Sequence, residues 1–381
     1  MNRWLFPICL FSTFTALSQQ GSWQVLKTKN KTPNCSECGM AAVGNKLYLL
    51  GGDGGGARAV QAYDPQTGTW TKRAQAPVQM HHFQAVPYQS KIYVLEAFSG
   101  GGFPDQTPMP NAYSYDTQKD SWQKEGEIPA DRRRAGAGAV AYQGKLYLVA
   151  GIQHGHSSGT TNMFDQYDPQ TMTWTALPDA PHIRDHCSAA VINGKLYVVG
   201  GRNTSYRDPQ NKVPFFAKTM LDVDVYDFAT GKWATLPGKL PMGSGGGAVI
   251  NLGNVLYYMG GERATENEPN APRKNTYFLN PDKGKKWQET DSVHYARNGM
   301  AAAVLNGRIY IGGGSGGGPG GPPPPIGAPT NGMPPLDTSH SDLPTPPNSG
   351  QGNKGSQKDW IILEVFNLNK KPAQYNASIS E

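Results

Sequence analysis

Five of the eight histidines, His81, His82, His154, His156 and His186, are expected on one face of the second to fourth modules of a repeat. Imidazoles combined with a carboxylate make the donor set that zinc, copper and iron favour. His82, His154, His156 and His186 are therefore candidate metal ligands, with Glu96 or Asp185 supplying the carboxylate. In the competing reading His82 and His186 only fill equivalent structural positions, and no cofactor is expected. A second set is charged: Arg134, Arg184, Arg202 and Arg297 with Glu37, Asp185 and Glu262. Arginine presents a rigid two-pronged donor, so these residues could line a site for a polar ligand, anionic or sugar-like. Alternatively they bond loop carbonyls and hold the scaffold. Cys35 and Cys38 could close a small local disulfide in an oxidising compartment. Zinc would want a second Cys-x-x-Cys, which is absent.

What must position these side chains is a repeat. One module recurs: an Ala-rich strand, a tight turn, an aliphatic strand ending in small residues, a variable loop, a strand ending in Tyr-Asp, a turn, then Trp. The aliphatic strands are Lys46–Gly52, Lys91–Ala97, Lys145–Gly151, Lys195–Gly201, Val255–Gly261 and Arg308–Gly313. Tyr63, Tyr115, Tyr167 and Tyr226 are each followed seven residues later by Trp70, Trp122, Trp174 and Trp233, and Trp287 closes the fifth module. Short strands separated by turn residues predict four-stranded antiparallel blades. One blade cannot bury both faces, so neighbours must stack about an axis. The sixth module lacks its Trp after Leu363–Asn367, while Ser22-Trp23-Gln24-Val25-Leu26 resembles the fourth strand of the other modules. The N-terminal strand is expected to complete the last blade and close the ring, which removes free sheet edges.

Strands alternate in direction, so loops joining second to third strands share a face with loops joining blades. That face takes the long segments 98–110, 152–162, 202–219, 262–274 and 314–359, and the opposite face takes tight turns. Aligning the modules brings Glu37, His81-His82, Arg134, Arg184-Asp185-His186, Ser244 and Arg297-Asn298 to the start of the innermost strands, with Asp53, Arg202 and Glu262 after the glycine pairs. Both sets should ring the mouth of a central channel. A rigid scaffold with long loops on one side is where binding function usually sits.

The Gly-Gly, Tyr and Trp pattern resembles the kelch motif, which implies an all-β, six-bladed kelch-type β-propeller spanning 19–381 as one domain. Gly151 to His156, Phe164 to Pro169, Leu177 to Pro181 and Arg184-Asp185-His186 are similar to exported microbial kelch proteins labelled galactose-oxidase-like. Copper radical oxidase chemistry would require a Cys crosslinked to a Tyr ligand and a Tyr-His pair. Cys187 is the candidate thiol near this face, and no Tyr is directly followed by His. A six-bladed kelch fold also serves a sialic acid mutarotase, in which an Arg and a Glu move protons on a sugar ring. Arg202 or Arg184 with Glu262 or Glu96 would imitate that pairing. The expectation is a binding protein for a carbohydrate, a small polar ligand or a protein. The alternative is an enzyme on a sugar or small metabolite, mutarotase-like or metal-dependent and oxidase-like, at the same mouth.

Residues 1–18 read as a signal peptide: Arg3 supplies a positive start, Trp4 to Leu17 is mostly apolar and uncharged, and Ala16-Leu17-Ser18 gives small residues for cleavage. The chain is then expected to be secreted, or periplasmic in a Gram-negative host. Asn30, Asn34, Asn203 and Asn376 head glycosylation tripeptides, relevant in a eukaryotic host. A formal net charge of +6 with scattered Lys and Arg gives no basic stripe for nucleic acid. No later run reaches the length of a membrane span. Residues 314–359 form a Gly/Pro-rich insertion in blade six, expected to be a flexible excursion, with a docking segment as the other option.

Overall fold

The computed structural model describes residues 20–30, 32–53, 56–206, 218–265, 268–316 and 361–368. Residues 1–18, expected to be a signal peptide, most of the 314–359 insertion and Asn376 lie outside the described residues. Six four-stranded antiparallel sheets form the blades. Blade three shows the pattern: Gly138–Tyr142, Lys145–His154, Ser158–Asp168 and Thr173–Leu177. Blade six is closed as expected, because Gly21–Val25 pairs with Glu364–Leu368, bringing Trp23 opposite Phe366. Among the described residues the single helical element is a 3₁₀ turn, Ala130–Arg132, and no helix is long and apolar enough to cross a membrane.

The repeat spacing has a direct register meaning. Tyr63, Tyr115, Tyr167 and Tyr226 lie opposite Trp70, Trp122, Trp174 and Trp233 across the last turn of their blades. Each pair of rings packs at 5.0–5.4 Å between centroids, the tilted contact that aromatic quadrupoles favour. The Asp after each Tyr folds the turn: Asp64 and Asp168 accept the N–H two residues on, at 2.9 and 3.0 Å. Apolar clusters join residues of adjacent blades, as where Leu47, Trp70, Ala303 and Tyr310 meet between blades one and six. The core is therefore a set of inter-blade layers.

First strands touch one another in ring order and are innermost. Their small residues, Gly39, Ala85, Ala137, Ser188, Ala248 and Ala301, line a central channel. The glycine pairs ending the second strands serve the same crowding. Gly201 has φ +92, and a Cβ there would meet the Asp185 carbonyl oxygen at 2.7 Å.

Candidate functional site

At or just before the start of each first strand, one residue from every blade adopts left-handed backbone: Glu37 (φ 54), His82 (61), Gly136 (64), His186 (50), Gly246 (66) and Gly299 (60). Their peptide groups are linked around the axis. Glu37 N–H donates to Gly299 O at 2.6 Å, His82 to Glu37 at 2.7 Å, and Gly136 to His82 at 2.7 Å. Gly246 donates to His186 at 2.8 Å and Gly299 to Gly246 at 2.9 Å, while Cys187 N–H reaches Gly136 O at 3.4 Å and completes the circle. Only glycine adopts this conformation without cost. Three of the six positions nonetheless carry Glu or His, so side chains are placed at the mouth at some backbone expense.

Glu37, His82 and His186 line the channel mouth. The channel holds about 70 Å³, room for a few waters and too little for a sugar ring. His156, on the hairpin tip between the second and third strands of blade three, folds over the mouth. Its Nε2 lies 3.2 Å from His186 Nε2, and its Nδ1 lies 3.0 Å from Gln106 Oε1. His186 Nδ1 is 2.6 Å from Asp185 Oδ1. Asp185 also accepts from Thr160 Oγ1 at 2.6 Å, Thr204 Oγ1 at 2.5 Å and Thr204 N–H at 2.9 Å. Arg202 donates to Glu262 and to Thr204 Oγ1, and Glu262 accepts from Asn298 Nδ2 at 2.8 Å. His82 Nε2 stands 4.0 Å from Glu37 Oε2, and His81 Nδ1 is 2.6 Å from His82 Nδ1.

Burial sets the electrostatics. It pushes His82 and His156 well below the usual imidazole range, helped by the neighbouring imidazoles. Burial and Arg202 push His186 down to about 4. Burial, then Glu262, lifts Glu37 to about 8. Burial alone would raise Asp185, but its bond to His186 and the Arg202 charge hold it below the ordinary carboxylate range. The imidazoles are thus neutral at pH 7, and Glu37, Asp185 and Glu262 feel the guanidinium charge of Arg202, while Asp53 stands beside His81.

Arg134, Arg184 and Arg297 belong to a different structure. Each is buried inside its blade, pairs with an acidic residue two before the Tyr position of the third strand, and bonds carbonyls left by the second strand. Arg134 pairs with Asp165 at 2.7 Å and bonds Ala150 O at 2.6 Å. Arg184 pairs with Asp224 at 2.7 Å and bonds Gly200 O at 3.1 Å. Arg297 pairs with Glu364 and bonds Gly313 O at 3.1 Å. None of the three lines the channel, so the guanidinium cluster expected for an anionic ligand does not assemble. Arg202 and Glu262, the pairing that would imitate a mutarotase, are buried and bound to each other.

Two further expectations are corrected. His154 is exposed and outside the imidazole cluster, because it ends the second strand of blade three while His156 lies beyond the turn at left-handed Gly155. Cys35 and Cys38 are buried free thiols rather than a disulfide. Their spacing reflects the left-handed turn at Glu37 that carries the chain onto the ring, and Cys38 Sγ turns to the Cys35 carbonyl oxygen at 3.9 Å. Cys187 is also free and buried, which pushes its thiol up to about 12. Glu96 is buried with its carboxyl pushed well up, accepts from Gln84 N–H, and is not in the cluster. Asn30 is exposed, whereas Asn34 is half-buried and bonded to Gly314 O. Asn203 has a buried amide oxygen. Gln106, Thr160 and Thr204 were not legible as site residues, since Gln106 and Thr204 lie in loops and Thr160 on an extension of the blade-three hairpin, with no repeat to align them.

Comparison with known proteins agrees with this architecture. The family described as KLHDC2/KLHL20/DRC7 Kelch-repeats domain matches residues 82–314, and the Kelch motif matches residues 34–76. Kelch-like protein terF of Aspergillus terreus is 28% identical over 286 residues, covering 72% of this chain and 59% of that protein. Kelch-like protein 40 of Xenopus tropicalis is 25% identical over 57% of this chain and 34% of its own length. The chain thus matches little more than half of the first relative and a third of the second. The solved structure of YjhT superposes with a TM-score of 0.61 at 16% identity, over 75% of this chain and 92% of that one, a likeness of fold. With its family match, its motif spacing and its six closed blades in agreement, this chain belongs to the kelch-repeat family.

Proposed function

We propose that this chain is an exported kelch propeller that binds a hydroxyl-rich small ligand, of the carbohydrate class, on its loop face at the rim of the channel mouth. The observation that carries the reading is the pairing of exposed apolar rings with hydrogen-bond acceptors there. Phe103 is 42% exposed and packs on His156, and Tyr206 is 37% exposed on the loop whose Ser205 hydroxyl lies 2.7 Å from Thr160 Oγ1. Glu37, Asp53, Asn298 and Ser315 present partly exposed carboxyl, amide and hydroxyl groups. Acceptors that bind hydroxyls, beside an aromatic face that covers C–H surface, fit a polyol and disfavour an anion.

A protein partner is the second reading. Of the five exposed large apolar side chains among the described residues, Phe103, Ile183, Tyr206 and Leu221 lie on loop-face segments and only Met172 lies on the turn face. That bias toward one face favours the loop face for contact with a protein. Calorimetric titration with a panel of neutral mono- and oligosaccharides tests the first reading. Binding should weaken at least about tenfold in Phe103→Ala and Tyr206→Ala. A folded protein that binds none of the panel, or binds it equally well in both variants, would refute the carbohydrate reading and leave the surface to a protein.

A further inference from the structure

The three rings of His82, His156 and His186 form a nearly equilateral triangle, with centroids 5.0, 5.1 and 5.0 Å apart. Three imidazoles bound to one tetrahedral ion, with metal–nitrogen bonds of about 2.0–2.1 Å, would place their nitrogens about 3.3 Å apart and their ring centres about 5 Å apart. The His156 and His186 Nε2 atoms already stand at 3.2 Å. One nitrogen from each of the three residues falls within 4.8 Å of the others.

The hydrogen bonds fix which nitrogen carries a lone pair. His186 Nδ1 faces the Asp185 carboxylate, and His156 Nδ1 faces the Gln106 amide oxygen. Both partners accept, so both Nδ1 atoms are donors and both Nε2 atoms present lone pairs to each other. Two lone pairs at 3.2 Å in a buried site repel, and a cation between them converts the contact into two bonds. The carboxylate behind His186 is the outer partner that ligating histidines usually have. The backbone makes room for the group as well. Gly136 lies between His82 and His186 in the ring, and a Cβ there would come within 3.2 Å of His186 N and 3.4 Å of its Nδ1.

We propose that His82, His156 and His186 bind one divalent transition-metal ion at the channel mouth, with Asp185 and Gln106 orienting two of the imidazoles. Three nitrogen donors select zinc, cobalt, nickel or copper over magnesium or calcium. Three protein ligands leave a fourth position open, as in sites that hold water or substrate. Glu37 Oε2 lies 4.0 Å from His82 Nε2. The site uses the same mouth as the proposed carbohydrate ligand but does not depend on it, since metal binding is read without any sugar present.

Titration of the metal-stripped full chain with Co²⁺, followed by the visible absorption of four-coordinate cobalt, tests this. One equivalent should bind and be displaced by Zn²⁺. His156→Ala alters a hairpin tip and leaves the main-chain ring intact, and it should weaken binding at least about tenfold. Asp185→Asn should weaken it about 10- to 100-fold. His154→Ala, outside the cluster, should bind as the parent does. Circular dichroism confirms that each variant is folded. Failure of the folded parent to bind Co²⁺ or Zn²⁺ at 1:1, or equal binding by His156→Ala, would overturn the proposal. Loss in His154→Ala would overturn the assigned ligand set.

Discussion

The backbone N–H of Glu37 donates to the carbonyl oxygen of Gly299 at 2.6 Å, joining the first blade to the last at the axis. The bond needs left-handed backbone at both residues, and it brings the Glu37 carboxylate against the bare face of Gly299. A Cβ at Gly299 would lie 2.5 Å from Glu37 Oε1 and 2.8 Å from Glu37 N. Gly299→Ala is expected to cost about 2–4 kcal/mol, combining left-handed strain with overpacking. Gly307→Ala, at φ +70 with nothing within 4 Å, should cost only the strain, about 1 kcal/mol. Urea denaturation of the two variants reads the difference directly, and equal losses would show that the ring contact does not crowd.

The three inward arginines should prove structural. Arg184→Ala leaves Asp224, which is fully buried, without its guanidinium partner, and is expected to cost about 3–5 kcal/mol. Replacing both partners, Arg184→Met with Asp224→Leu, should recover much of that loss, because two charges no longer have to be desolvated. Denaturant midpoints of the single and double variants check this.

Closure by the N-terminal strand predicts a penalty far from the loop face. Trp23 is 5% exposed, packs on Phe366 at 5.2 Å between ring centres, and donates from Nε1 to Thr276 Oγ1 and to Asp291 O. Trp23→Ala should cost about 3–5 kcal/mol. Removing the chain through Val25 should bare the edge of Glu364–Leu368 and produce oligomers on size-exclusion chromatography.

Thiol chemistry separates the free cysteines from a bridged pair. Cys35, Cys38 and Cys187 are buried at 4%, 4% and 8% exposure, so a disulfide reagent should find no thiol in the native chain lacking residues 1–18. After denaturation without reductant it should find all three. A count of one would mean that Cys35 and Cys38 are joined.

Much of this architecture could be read in the sequence because it repeats. The seven-residue step from Tyr63 to Trp70 is a cross-strand register, and it recurs in blades two, three and four; the six aliphatic strands set the blade number, and the likeness of Ser22–Leu26 to the other fourth strands set the closure by Trp23. The same alignment correctly brought Glu37, His82 and His186 to equivalent positions. It could not say which way a side chain turns. Arg134, Arg184 and Arg297 align beside the ring positions, yet each points into its own blade, because the acidic partner two residues before the third-strand Tyr sits on a different strand. His154 and His156 illustrate the limit in loops. Two residues apart on a strand share a face, but the hairpin turns between them, at left-handed Gly155, and sends only His156 over the axis. Gln106 and Thr204 belong to segments with no counterpart in other blades, and only the folded chain brings them to the histidines and Asp185.

The central claim is that function resides at the mouth on the loop face, and a crystal structure of the chain soaked with the tightest-binding sugar of the panel tests it most directly. The account predicts sugar density at the rim, with hydroxyls on Glu37, Asp53 or Asn298 and a ring face on Phe103 or Tyr206. Ordered density on the opposite face, among the tight turns near Asp64, Asp168 and Asp227, would contradict it.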